Sequence, residues 1–325
     1  AVSRILSLKF RFGLFENPRL PDRERIGSVI AQGAHTDLNL EVARRSLVLL
    51  RNDGTLPLAP DTRRIAVVGP LADDAQTQLG DWAGSSGQVD WMSEGHPRAQ
   101  ITTVLDGLRE LAGGAVEHAR GAEILRLTDD PAGVFPDGQP RPPIVVPSEP
   151  DAGQIAEVVA LAERSDVVVA VVGDRIELVG EGRSTATLEL VGGQRALLDA
   201  LAATGTPLVV VLMASKPLIL PESVREASVI WVANPGMQGG RAIAEVLLGE
   251  IEPAGRLPIS FARHAGQQPT YYNQIRGQHG DRYADLTQEP AFAFGDGLSY
   301  TTVEYGDAEV LTPVVSAGDT IRAQI

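Results

Sequence analysis

Residues 166–173 read DVVVAVVG, residues 174–190 read DRIELVGEGRSTATLEL, and a helix-like VGGQRALL follows at 191–198. The run from Val167 to Val172 is apolar without a break. It lacks the alternation of a half-exposed strand, so it predicts a strand buried on both faces of a parallel sheet. In such sheets ligands gather where loops leave the carboxyl ends of the strands. Glu177, Glu181 and Arg183 stand at that position, and Gly180 and Gly182 flank Glu181. A carboxylate between glycines can be presented at an exposed loop tip, within reach of a substrate. On local sequence the segment is either a general acid/base on its mount or a solvated acidic loop.

Outward from this stretch, strand-like and helix-like segments alternate. Upstream lie a buried strand in RRIAVVGP (63–70), a helix in TTVLDGLRELAGG (102–114), a short strand at 115–119 and a helix at 154–164. Downstream come a helix at 194–203, strands in PLVVVLMA (207–214) and SVIWVAN (228–234), and a helix in GGRAIAEVLLG (239–249). The pattern predicts an α/β fold: a layered sandwich, its sheet mostly parallel, with helices on both faces. Toward the N-terminus, 2–14 reads as a helix with Gly13 near its end, and FENPRLPDRERIG (15–27) as a connector at a domain boundary. Residues 38–50 read as an amphipathic helix capped by Thr36 or Asp37. The stretch 129–150 is rich in Pro, Asp and Gly and reads as loop. After Pro253 the chain turns to loops and short strands with Gly, Tyr and Phe.

Composition narrows the function. With 325 residues, 43% of them hydrophobic, the chain can bury one large or two medium cores. A formal net charge of −14 argues against a nucleic-acid partner, because phosphate binding needs clustered cations. No run of eighteen apolar residues occurs, so no membrane span is expected. The absence of cysteine removes disulfides, thiol nucleophiles and cysteine metal sites. The five histidines are scattered without ligand spacing, so neither a metal nor any other cofactor is expected. Lys9 and Lys216 are the two lysines in a chain with plentiful arginine, which reads as base composition rather than function. Both ends read as interrupted, with no signal-peptide pattern at the start.

RIAVVGP is not followed by G-x-G-x-x-G, and Pro70 with LADD does not suit a pyrophosphate, so no nucleotide site is expected. A P-loop, an HExxH and a nucleophile elbow are likewise missing. Two Asp-Trp pairs, Asp81-Trp82 and Asp90-Trp91, share one Gly- and Ser-rich stretch. Their tryptophans are either sugar platforms on an exposed loop or plugs at the sheet edge. YYN (271–273) and FGDGLSY (294–300) either line a cleft or pack at a domain junction.

Seven segments, in this order, resemble markers of the family-three glycoside hydrolases, bacterial β-glucosidases especially. They are KFRFGLFENP (9–18), EVARRSLVLLRNDGTLPL (41–58), RIAVVGPLADD (64–74), GDRIELVGEGRS (173–184), PLVVVLMASKPL (207–218), NPGMQGGRAIAEVLLGEIEPAGRLPISF (234–261) and FGDGLSYT (294–301). The resemblance covers nearly the whole chain. It implies four parts: residues 1–35 as the last helix of a catalytic barrel with its linker, 36–265 as the α/β sandwich domain, 266–305 as a junction, and 306–325 as the start of a fibronectin-like domain.

The resemblance also implies a retaining exo-glycosidase that releases terminal, non-reducing β-linked glucose. Retention by double displacement uses two carboxyl groups about 5–5.5 Å apart, one a nucleophile and one an acid/base. In the family the nucleophile is a barrel Asp, and the acid/base is a Glu on a second-domain loop. Glu181 matches the acid/base, with Glu177 as fallback, and Arg183 and Ser184 match the polar residues after it. Trp82 and Ser85 fall in the stretch that contributes second-domain contacts to the sugar. Asp81 and Asp90 precede Trp, as the family's nucleophile does, but they lie in the wrong domain. Asp174 stands where Glu is common, and Asp296 where an aromatic is common. The implied partners are a β-glucoside or oligosaccharide, a catalytic barrel that these residues do not include, and a second copy in a homodimer. A periplasmic or secreted location is favoured over a cytoplasmic one. The alternatives are a β-xylosidase or other exo-glycosidase of the same family, and a non-catalytic carbohydrate-binding or assembly module.

Overall fold

Alternate side chains of the central strands enter two separate apolar cores, and that period of two organises the molecule. The computed structural model of the chain describes residues 1–30, 32–83, 95–180, 185–273, 283–302, 304 and 306–324. Its strands, in chain order, are β1 (Val48–Arg51), β2 (Arg64–Val68), β3 (Ala115–Ala119), β4 (Leu125–Thr128), β5 (Ile144–Pro147), β6 (Val167–Gly173), β7 (Leu208–Met213), β8 (Ser228–Trp231), β9 (Glu309–Val310) and β10 (Ala323–Gln324). The helices are α1 (Val2–Arg11), α2 (Arg23–Val29), α3 (Gly33–Ser46), α4 (Val104–Leu111), α5 (Ala152–Glu163), α6 (Gln194–Ala203) and α7 (Gly239–Leu247).

Six strands form one sheet in the order β1-β8-β7-β6-β2-β3. All neighbours are parallel except β1, which runs antiparallel to β8. On one face Val67, Val169, Val171, Val209, Val211 and Ile230 share a core with residues of α4 and α7. On the other, Ala66, Val68, Val168, Val172, Val210 and Leu212 pack with residues of α5 and α6. Burying both faces is why the central strands are continuous apolar runs rather than alternating ones. The expected α/β sandwich is the observed fold.

The chain passes from β2 outward to β3, then returns to the other side of β2 as β6 and continues through β7 to β8. The order therefore reverses between β2 and β6. In doubly wound sheets a reversal of this kind opens a crevice outside the carboxyl ends of the two strands.

Three local expectations need correction. The helix expected at 38–50 is α3, which begins at Gly33 without a side-chain cap and ends at Ser46. Thr36 and Asp37 therefore lie inside it. Leu47 and Leu49 enter one core while Val48 and Leu50 enter the other, an alternation that only a strand can make. The connector 15–27 contains the start of α2, capped by Asp22, whose carboxylate accepts from the Glu24 amide at 3.0 Å. The loop expected at 129–150 ends in β5, which pairs antiparallel with β4 because Ile144, Val145 and Val146 supply the β-branched residues. Within 306–325 the described structure is the antiparallel pair of β9 and β10.

Helices α4 and α7 approach closely enough to require glycine at the crossing. A Cβ on Gly240 would lie 1.9 Å from the Thr103 carbonyl oxygen, and one on Gly107 would lie 2.2 Å from that of Gly240. Across the same helix layer the Arg44 Nε and Nη2 atoms each donate to the Glu245 carboxylate at 2.6 Å, tying α3 to α7.

Candidate functional site

The two segments that leave β2 and β6 at the reversal meet. After Val68, the chain passes Leu71 and Ala72, both buried, and turns at Asp74, whose carboxylate accepts from the Gln76 and Thr77 amides at 3.1 and 2.9 Å. Gln78 is fully buried, and its amide donates to the Thr102 and Gly236 carbonyls at 3.0 and 2.7 Å. These bonds hold the backbone that leads to Asp81 and Trp82. The Trp82 side chain is large and apolar, yet the residue is 54% exposed with φ at +66°. A bulky residue in the left-handed region carries steric strain of about 1–2 kcal/mol.

From β6 the chain continues through Asp174, Arg175 and a single 3-10 turn, Ile176–Leu178, to Gly180. The end of β6 is fixed by Gln194, a buried residue at the start of α6. Its Oε1 accepts from the Gly173 amide at 2.8 Å and its Nε2 donates to the Gly173 carbonyl at 2.9 Å. Gly180 has φ at +88°, and a Cβ there would lie 1.8 Å from Asp81 Oδ2. The Asp81 carboxylate thus occupies the space that any other residue at position 180 would fill.

Asp174 is 3% exposed at the end of β6. Lys216, which follows β7, lies with Nζ 3.0 Å from Asp174 Oδ2. Burial pushes the Asp174 carboxyl above the usual aspartate range, and the ammonium of Lys216 offsets this only in part. Both Asp174 carboxylate oxygens are buried, and neither has a hydrogen-bond partner, so the contact to Lys216 is an ion pair. Lys216 Nζ donates to the Leu178 carbonyl at 3.1 Å and to Thr185 Oγ1 at 2.9 Å. Beside it, Glu177 forms an ion pair with Arg175, and its other carboxylate oxygen is buried without a hydrogen-bond partner.

Of the residues singled out in the sequence, Glu177, Trp82, Asp81 and Asp174 are brought to this strand-end region. Glu181, Arg183, Ser184 and Ser85 lie outside the described residues, as do Asp90 and Trp91. Asp296 is remote from it, accepting from the Ala293 amide at 2.7 Å in a turn. Tyr272 and Phe294 stack with centroids 4.5 Å apart, bringing the two aromatic motifs together. Sequence reasoning missed the Asp174–Lys216 pair and the seat of Asp81 on Gly180. A lone lysine between β7 and β8, in an arginine-rich chain, was the available signal for the first.

A cavity of about 570 Å³ lies elsewhere, over the β1 side of the sheet, with Arg51, Arg225, Arg263, Phe261 and Phe292 in its lining. It contains none of the residues above, and Arg51 there already donates to the Val224 and Arg225 carbonyls. Among the described residues no group of three or more His, Asp or Glu side chains is placed to hold a metal ion. No helix among them is long and apolar enough to cross a membrane.

The fold and the strand-end region define a doubly wound α/β domain with its candidate site at the strand reversal. Residues 47–300 match the glycosyl hydrolase family 3 C-terminal domain, and the chain belongs to that family. It is 36% identical over 346 residues to a periplasmic β-glucosidase of Salmonella typhimurium, covering 100% of this chain and 43% of the relative. A β-xylosidase of Formosa agariphila is 32% identical over 340 residues, covering 100% of this chain and 42% of the relative. Among solved structures, a β-glucosidase involved in saponin metabolism from intestinal bacteria superimposes with a TM-score of 0.92 at 57% identity, covering 99% of this chain and 46% of the other. The chain spans less than half the length of these relatives.

Proposed function

We propose that this chain is the acid/base-bearing part of a retaining β-glucosidase, with Glu181 as the general acid/base. The supporting observation is the meeting of the two segments at the β2/β6 reversal, where Asp81 seats on Gly180, the residue before Glu181 in sequence. In the first half-reaction Glu181 gives its proton to the glycosidic oxygen as the bond to the anomeric carbon breaks and the nucleophile's bond forms. In the second it takes a proton from water as that water displaces the nucleophile. The nucleophile is an Asp of the barrel domain, in the part of the enzyme that these residues do not include. The lengths of the relatives are consistent with such a domain. Glu177 suits the acid/base role less well, since Arg175 already engages its carboxylate. Trp82 serves as an apolar platform for the sugar, which its exposure and strained backbone support. Ser85, Arg183 and Ser184 supply polar contacts to the substrate.

The four-part division at 1–35, 36–265, 266–305 and 306–325 completes this reading. Val2, Ile5, Leu8 and Phe10 of α1 are exposed here and would pack against the barrel. A periplasmic or secreted location follows the Salmonella relative's name, and a homodimer is the proposed assembly. The Formosa relative keeps β-xyloside hydrolysis as a second reading.

The test is Glu181→Ala in the full-length enzyme. On alkyl glucosides kcat/KM is expected to fall by about 10²–10⁴-fold, while on dinitrophenyl glucoside it stays nearly unchanged, with azide raising kcat. Equal losses on both substrates without azide rescue would remove Glu181 from the role and return it to Glu177 or elsewhere. Nitrophenyl glucoside against nitrophenyl xyloside separates the two sugar readings.

A further inference from the structure

Three oxygens converge on the Lys216 ammonium from three points of one segment, two accepting its hydrogen bonds and one facing it as an ion pair. Asp174 Oδ2, 3.0 Å away, belongs to the residue just after the strand. The Leu178 carbonyl at 3.1 Å closes the 3-10 turn, and Thr185 Oγ1 at 2.9 Å lies on the far side of residues 179–184 in sequence. One nitrogen therefore holds both the departure and the return of the stretch that carries Glu181, and refers both to the rigid end of β6. Thr185 Oγ1 also donates to the Thr187 carbonyl at 2.8 Å, so the return point is itself anchored.

The residue type fits this geometry. An ammonium presents its donors in three directions from a single point, whereas a guanidinium presents a planar fork suited to one carboxylate. Elsewhere the described ion pairs of this chain use arginine, as at Arg44–Glu245 and Arg98–Asp106. Lysine appears where three unlike oxygens meet: a carboxylate, a carbonyl and a hydroxyl.

We propose that Lys216 is a positioning residue for the acid/base carboxylate, tethering both ends of its segment to Asp174. The inference rests on the assignment of Glu181 made above. General acid catalysis requires the proton donor within hydrogen-bond reach of the leaving oxygen, and a displacement of about 1 Å can cost on the order of 10²-fold. Without the tether, Leu178 and Thr185 lose their shared anchor beside the end of β6, and the general acid step is the one expected to suffer.

The experiment compares Lys216→Met, Lys216→Arg, the double variant Lys216→Met/Asp174→Asn, and Glu181→Ala, all in the full-length enzyme. The readout is kcat/KM on methyl and dinitrophenyl β-glucosides, with active sites titrated. For Lys216→Met the expected loss is about 30-fold or more on the methyl glycoside and about 3-fold or less on the dinitrophenyl one. The double variant, which leaves no unpaired buried carboxylate, should show the same split. It carries the test if the single variant does not fold. Lys216→Arg should recover little, because the fork cannot reach three converging oxygens. Equal losses on both substrates for the Lys216 variants, with the split present in Glu181→Ala, overturn the tether and leave the Glu181 assignment standing. Full recovery by arginine also overturns it, leaving only a need for positive charge. If Glu181→Ala itself shows no split, the assignment fails and the inference falls with it.

Discussion

Two carboxylates in this molecule are almost equally buried, Glu245 at 2% exposure and Asp174 at 3%, yet their surroundings differ in kind. Glu245 sits in the helix layer, where Arg44 grips both its oxygens and Arg241 adds a third bond at 3.1 Å. Its hydrogen bonds and charge partners outweigh desolvation, although desolvation is the largest single influence, and they hold its carboxyl below the usual glutamate range. Asp174 sits at the strand ends with Lys216 paired to one oxygen by charge and a hydrogen-bond partner on neither, and burial prevails. The first arrangement joins helices. The second leaves a buried carboxylate only partly satisfied beside the segment proposed to do chemistry. Incompletely satisfied polar groups of this sort are expected where function, rather than packing, sets the geometry.

Substitution in the helix layer should have the largest effect on stability. Glu245→Gln removes the charge that Arg44 and Arg241 share, and is expected to lower the unfolding free energy by about 3 kcal/mol, read by urea titration. The pH dependence follows from the sign of the shift. Because the folded Glu245 carboxyl lies below its unfolded value of about 4.3, its contribution is complete above that value and is lost as pH falls through the folded value. The gap between wild type and variant should therefore be constant near neutrality and close in acid. A constant gap down to pH 2 would contradict the lowered carboxyl.

Gly180→Ala is intermediate. It puts a side chain into the left-handed region and displaces the Asp81 carboxylate, so a loss of about 1–2 kcal/mol is expected, together with a fall in kcat/KM. Unchanged melting and kinetics would show that Asp81 moves aside freely. Asp174→Asn should be smallest, within about 1 kcal/mol of wild type, since it removes a desolvation penalty along with an ion pair. Its pH signature is opposite to that of Glu245. A folded carboxyl raised above its unfolded value of about 3.9 contributes most below that value and loses this as pH rises through the folded one. The asparagine variant should therefore gain on wild type between acid and neutral pH. The same slope in both variants would erase the distinction between the two carboxylates.

The sheet was largely legible because period and composition are local properties. Val167–Val172 and Leu208–Met213 announce buried strands, and α6 begins and ends where the sequence expected. The join of α3 to β1 was not legible, since LNLEVARRSLVLL satisfies a helical period until burial in two opposite cores decides otherwise. At the strand ends, the order of motifs carried the proposal of Glu181 as acid/base. The contacts nearby were hidden, because Asp81 meets Gly180 only through the β2/β6 reversal and Lys216 meets Asp174 only through the pairing of β6 with β7. Composition gave no sign of the Asp174–Lys216 pair, since the rarity of lysine read as a property of the whole chain.

The placement of β1 has a consequence for the two edges of the sheet. Its outer side is met by the returning chain, where the Leu298 amide donates to the Leu49 carbonyl at 2.7 Å. At the opposite end no described strand lies beyond β3. That edge carries Glu117, paired with Arg164 at 2.8 Å, and charge at an edge discourages strand addition by a stranger. Among the described residues, one edge of the sheet is thus met by the returning chain and the other carries an ion pair.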